Sequence, residues 1–179
     1  MARIPYADPD NMDDTTRQLL ERLAPLNIFR MMANAPGLVR PFIDLGGAFL
    51  FEGKLDPVTR ECAILRVGYL SNASYETAQH EKIGRDLGMS DALIEALKAG
   101  PSDPRLSAEQ KLTLDYVDDL VANVKAGDAT FAPALSHFGV EKLQELTLVT
   151  GYYMMVCRFL ETFEVEIEAG GAAGLDVSA

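Results

Sequence analysis

A chain of 179 residues can bury one sizeable core and is short for two. Its 48% hydrophobic and 24% charged residues are ordinary globular composition, which excludes disorder over most of its length. With 16 Lys and Arg against 27 Asp and Glu the formal charge is −11, and the basic residues are scattered, so the footprint of a nucleic-acid binder is missing.

The opening "MARIPYADPDNMDD" has no basic segment followed by an apolar one, so no secretory signal is read and the cytoplasm is the expected compartment. Residues 1–12 read as an extended arm. Apolar residues then recur at the helical spacing i, i+3, i+4, i+7 along the whole chain, and sustained strand-like alternation is absent, so the expected fold is all-α in one domain over 1–179. "MDDTTRQLLERLAP" gives a first helix with Asp and Thr caps, Leu19, Leu20 and Leu23 on one face, and Pro25 as its stop. "NIFRMMANAP" is a short helix ended by Pro36. "GLVRPFIDLGGAFLFEG" is the next, and its Gly46 and Gly47 weaken it unless something packs close.

"LDPVTRECAILRVGYLSN" begins with Asp56 as N-cap and Pro57 in the first helical position. Beyond Glu61 its only charge is Arg66, so this helix must be covered on nearly every side, by its own core or by another subunit. A helix from about Ser74 to Leu87 follows, closed by Gly88. "MSDALIEALKAG" is a short one capped by Ser90 and broken at Gly100-Pro101. "SAEQKLTLDYVDDLVANVKAG" is a long amphipathic helix with Leu112, Tyr116, Leu120 and Val124 on its buried stripe. "DATFAPALSHFG" and "VEKLQELTLVTGYYMMVCRFLETFEVEIE" complete the order, and residues 169–179 form a Gly-rich tail expected to be mobile. The apolar stretch "LTLVTGYYMMVCRFLETF" contains Arg158 and falls short of the roughly 20 apolar residues of a membrane span, so no membrane partner is expected.

Glu76 and His80 stand at i, i+4 on one helical face, either as a surface contact of about 0.2–0.5 kcal/mol or as half of an acid/base site. Glu61 bears on that choice, because a carboxylate one turn inside an apolar helix must reach the surface or be buried with a partner, and a buried carboxylate beside an imidazole is a coupled acid/base pair. A metal site is not expected: H-E-x-x-H is absent, no second Glu/His pair occurs, and His137 is the only other histidine. Cys62 and Cys157 form neither C-x-x-C nor a metal-ligand spacing and read as small buried hydrophobes. Tyr152 and Tyr153 read as core residues, with one phenol free to point into a cavity. Arg158 must find a carboxylate, carbonyl oxygens or an anion, and a structural ion pair is expected.

The run "NIFRMMANAPGLVRPFIDLGGAFLFEGKLDPVTRECAILRVGYLSNASYETAQHEKIGRDLGMSDALIEAL" resembles the core pattern of the carboxymuconolactone decarboxylase and alkylhydroperoxidase D-like family, and "LVTGYYMMVCRFLETFEVEIE" resembles its late helix. Arg60-Glu61, Tyr75-Glu76 and His80 are the most specific elements. The resemblance implies an all-α helical bundle assembled as a homo-trimer or homo-hexamer, with the site close to subunit boundaries. In the peroxidase branch, a glutamate matching Glu61 and a histidine matching His80 relay protons to a C-x-x-C pair whose cysteines would fall at Ala73 and Glu76. Without those thiols the disulfide cycle cannot run, and Cys62 lies on the wrong helix to replace them. The decarboxylase branch uses no redox thiols and removes carbon dioxide from a carboxylated unsaturated lactone without a cofactor.

The resemblance therefore implies a cofactor-independent lyase, or a related acid/base enzyme, acting on a small carbonyl-bearing acid of aromatic catabolism. His80 is the expected proton donor or acceptor, Glu61 its orienting partner and Glu76 a second acid/base group or polar contact, with Tyr75 and Tyr153 as substrate contacts. The expected partner is a small-molecule substrate. Two other classes stay open: a thiol enzyme, which needs Cys62 and Cys157 to meet in the oligomer, and a non-enzymatic oligomeric protein that binds a small ligand.

Overall fold

The computed structural model describes residues 1–173, and within them the chain forms helices and no strand. The eight α-helices are α1 (Asp14–Glu21), α2 (Asn27–Met32), α3 (Pro36–Gly47), α4 (Pro57–Leu70), α5 (Ser74–Asp86), α6 (Asp91–Ala99), α7 (Ala108–Asn123) and α8 (Asp128–Phe163). Their starts follow the local chemistry. Asp13, Asp56, Ser90 and Ser107 accept backbone N–H bonds at the N-termini of α1, α4, α6 and α7, and Ser107 with Gln110 completes a capping box. Pro57 occupies the first turn of α4, where its missing N–H costs nothing.

Helix α4 lies at the centre, packed against α5, α6, α7 and α8. Every residue from Thr59 to Gly68 is buried, and the cover comes from this same chain. The all-round apolar character of α4 is thus satisfied within one subunit and does not by itself demand a second. Its one charge beyond Glu61 is neutralised locally: Arg66 donates two bonds to Asp118 of α7, at 2.6 and 2.7 Å, and a third to the Leu97 carbonyl at 3.1 Å. This fork-to-fork geometry fixes α4 against α7 and leaves none of the buried Arg66 donors idle.

Two sequence expectations are corrected, and a third takes a different form. Val124 is 90% exposed, because α7 ends before it and Val124 turns the chain in the left-handed region at φ 68°. Arg158 is exposed and donates to the Met154 carbonyl one turn back, with no ion pair among the described residues. The segments before and after Gly139 run as one element, but Gly139 has φ 72° and ψ 177°, so the expected break survives as a kink that glycine tolerates.

The arm at residues 1–12 is irregular apart from a 3₁₀ turn at Pro9–Asn11, and it is stitched to the far end of the chain by the bond from Arg3 N to the Phe163 carbonyl at 3.0 Å. Residues 174–179 of the expected tail lie outside the described residues. No helix among the described residues is long and apolar enough to cross a membrane.

Candidate active site

Three local features bring the acid and base groups together. Asp56 caps α4 and sets its first turn, which puts Glu61 on the inward face, fully buried. Just upstream, α3 gives way to a π-helical turn over Ala48–Glu52, and the Leu50 carbonyl there accepts from Arg60 Nη1 at 3.0 Å, so a widened turn supplies the acceptor that holds Arg60 beside Glu61. Finally Gly68 lets α5 approach α4: a Cβ there would stand 2.8 Å from Thr77 Cγ2. That close crossing carries Glu76 and His80 into the core, where both are buried.

His80 sits between two carboxylates. Its Nδ1 is 2.6 Å from Glu61 Oε2, and its Nε2 is 3.1 Å from Glu76 Oε1. Arg60 Nε approaches the other oxygen of Glu61 at 3.3 Å. The second contact of His80 is close but poorly aligned, so Glu76 Oε1, like Arg60 Nη2, has no hydrogen-bond partner among the described residues. Burial alone would push the imidazole pKa down, but Glu61 and then Glu76 outweigh it and hold His80 well above the ordinary imidazole range. With His80 and Arg60 positive and both glutamates negative, the cluster is neutral as a whole, which is how four ionisable groups are buried together.

The cluster opens on a cavity of about 290 Å³, at the low end of the ~300–1,000 Å³ typical of small-molecule sites. Glu76 and His80 line its inner end, and most of its wall is apolar, including Phe42, Ile83 and Val156. Three tyrosines contribute, and they are not equivalent. The Tyr75 hydroxyl donates to Glu168 at 2.6 Å, and the Tyr152 hydroxyl donates to the Phe42 carbonyl at 2.9 Å. Tyr153 is 96% buried by its 4% exposure, packs edge-on against His80 at 5.0 Å between ring centroids, and its hydroxyl has no hydrogen bond among the described residues. Burial, followed by the negative charges of Glu76 and Glu61, keeps that phenol protonated. Tyr153 is thus a neutral donor free to meet a ligand, whereas Tyr75 offers its ring and has its hydroxyl engaged.

The thiols are placed otherwise. Cys62 and Cys157 are free, buried and in different packing clusters, and burial, aided by nearby carboxylates, pushes each pKa up to about 12. Among the described residues no group of three His, Cys, Asp or Glu could hold a metal ion. His137 is exposed and pairs with Glu109 at 2.8 Å.

Sequence reasoning found Glu61, Glu76, His80 and Tyr153 and the structure brings them together. It gave no role to Arg60, although its place beside Glu61 was visible. It missed Glu168, whose carboxylate accepts from Asn27 N at 2.7 Å, Tyr75 Oη at 2.6 Å and Gln79 Nε2 at 2.6 Å. No local pattern marks a residue that reaches the wall of the cavity from beyond α8.

Residues 36–106 match the carboxymuconolactone decarboxylase family. The sequence matches no functionally curated protein. Among solved structures, the chain is similar to an uncharacterized peroxidase-related protein with an alkylhydroperoxidase AhpD core from Ralstonia eutropha JMP134, at 19% identity and a TM-score of 0.81, over 94% of this chain and 93% of that one. It is similar also to an uncharacterized peroxidase-related protein from Silicibacter sp. TM1040, at 20% identity and a TM-score of 0.81, over 96% and 93% of the two chains. A protein of unknown function from Agrobacterium tumefaciens is similar at 19% identity and a TM-score of 0.71, over 75% of this chain and 93% of that one. The match to the carboxymuconolactone decarboxylase family is thus confined to residues 36–106, and the chain as a whole has the alkylhydroperoxidase D-like all-α fold.

Proposed function

We propose that this protein is a cofactor-independent acid/base enzyme, a decarboxylase-type lyase acting on a small carbonyl-bearing acid of aromatic catabolism in the cytoplasm. The observation that carries the reading is the imidazole of His80 held between Glu61 and Glu76 at the inner end of an apolar cavity, with the free hydroxyl of Tyr153 beside it. In the proposed reaction the bond from carbon to the substrate carboxylate breaks and carbon dioxide leaves. The electron pair spreads to the substrate carbonyl oxygen, which accepts a hydrogen bond from Tyr153. The His80 imidazolium then gives its proton to carbon and is recharged from water through Glu76. Glu61 keeps the ring oriented throughout and stabilises its charged form.

The thiol reading finds less support. Ala73 and Glu76 stand where its cysteines would be, and Cys62 and Cys157 are buried thiols far from the thiolate state that attack requires. We further propose a homo-trimer or homo-hexamer, on the strength of the apolar side chains that α3 and α8 leave exposed.

The test is carbon dioxide release from a panel of carboxylated unsaturated lactones and β-keto acids. His80→Gln and Glu61→Gln, both close in volume to the residues they replace, are expected to lower turnover by at least about a hundredfold while leaving the helical circular dichroism unchanged. Turnover that survives both substitutions, or a panel from which the wild type releases nothing, would sink the lyase reading.

A further inference from the structure

The cavity has a polar inner end, an apolar middle and, at its mouth, one group without a task. Arg22 is the residue that caps the C-terminal end of α1, outside the family-matched segment, and its side chain lines the cavity while remaining exposed. That side chain makes no ion pair, hydrogen bond or stacking contact among the described residues, in a chain whose acidic side chains outnumber the basic ones by 27 to 16. Among the residues that line the cavity, Arg22 and His80 are the two that carry positive charge, and they differ in kind. His80 is 6% exposed and already held between two carboxylates, so it has no unshared charge with which to anchor a carboxylate that stays on the ligand. Arg22 has no such neighbour in the cavity wall, and its planar fork matches a carboxylate.

We infer that Arg22 is a specificity-determining residue: the ligand of this cavity is an amphiphile whose carbonyl end meets Tyr153 and His80, whose apolar body fills the middle, and whose retained carboxylate binds Arg22 at the mouth. The inference rests on the acid/base reading for the inner end and adds a second, non-reacting anchor to it. The apolar wall supplies affinity without direction, while a charged hydrogen bond at one end and a phenol at the other fix the order in which the ligand enters.

The probes are 4-acetylbenzoate and its neutral counterpart 4-acetylbenzamide, which share the acetyl carbonyl and the ring and differ in charge at the far end. Binding is measured by calorimetry, with no turnover required. The wild type is expected to bind the acid at least about fivefold more tightly than the amide, Arg22→Gln to erase that difference while leaving amide affinity unchanged, and Arg22→Lys to retain part of it. Equal binding of the two probes by the wild type, a preference that survives Arg22→Gln, or no binding of either probe at millimolar concentration would overturn the assignment. Arg22 is exposed, so the variants keep the fold. If discrimination is absent while turnover still depends on His80 and Glu61, only the role of Arg22 falls. If discrimination is present and turnover ignores those residues, only the lyase reading falls.

Discussion

His80 is buried among groups that would each be costly to bury alone. Desolvation favours the neutral ring, and the carboxylates on either side favour the imidazolium strongly enough to prevail, raising its pKa to about 10. The folded-state pKa therefore lies above the unfolded value. The native protein keeps a proton that the unfolded chain releases as pH rises past about 6.5, so the stabilisation is complete below that pH and drains away from there through about 10. A charged His80 is the acid of the proposed reaction, and the same charge ties the site to the fold. The Glu61 and His80 contact was legible in the sequence because a carboxylate inside an apolar helix requires a partner and the next helix offers one. The second flank, Glu76, shared a helical face with His80, yet spacing alone leaves such a pair equally suited to the surface. What decided between them was Gly68, whose missing side chain lets α5 sink against α4. Nothing local reveals that closeness in advance.

Among the elements, the sequence marked helix starts better than helix surroundings. Asp56 and Ser90 act within three residues of themselves, so their effect could be read directly. The cover of α4 and the π-helical turn before Gly53 depend on partner residues outside those segments. The Gly46-Gly47 pair on α3 shows how such partners discriminate between neighbours. A Cβ on Gly46 would stand 2.6 Å from the Tyr152 hydroxyl, whose ring is wedged against Phe42, Phe49 and Tyr153, while a Cβ on Gly47 meets nothing nearer than Phe51 at 4.0 Å. Gly46→Ala should therefore destabilise the protein by about 1–3 kcal/mol through overpacking, whereas Gly47→Ala should stabilise it by about 0.5–1 kcal/mol through helix propensity. Urea unfolding of the two variants measures both; equal effects would show that Tyr152 yields freely and that the α3 to α8 contact is loosely packed.

At the scale of the molecule, the central helix is satisfied within one chain, so the case for assembly moves to the outside. Leu38 and Leu45 on α3 are 64% and 49% exposed, and Leu148 and Met155 on α8 are 60% and 50% exposed. Both pairs are spaced i, i+7, which makes a stripe on one side of each helix that a subunit contact would cover. Light scattering at micromolar concentration should give a mass that is three or six times that of the chain, and replacing Leu148 and Met155 with Glu should lower it. A wild-type monomer would leave the two stripes without that explanation. Inside the subunit one imidazole is held between two carboxylates, and its charge is open to direct measurement. In a His137→Gln background His80 is the only histidine, and ¹⁵N resonances of its ring report protonation at each nitrogen. At pH 7 both nitrogens should be protonated, with no loss of proton below about pH 8, and Glu61→Gln should bring the midpoint down. A neutral ring at pH 7, titrating near the ordinary imidazole value and indifferent to Glu61→Gln, would contradict the account.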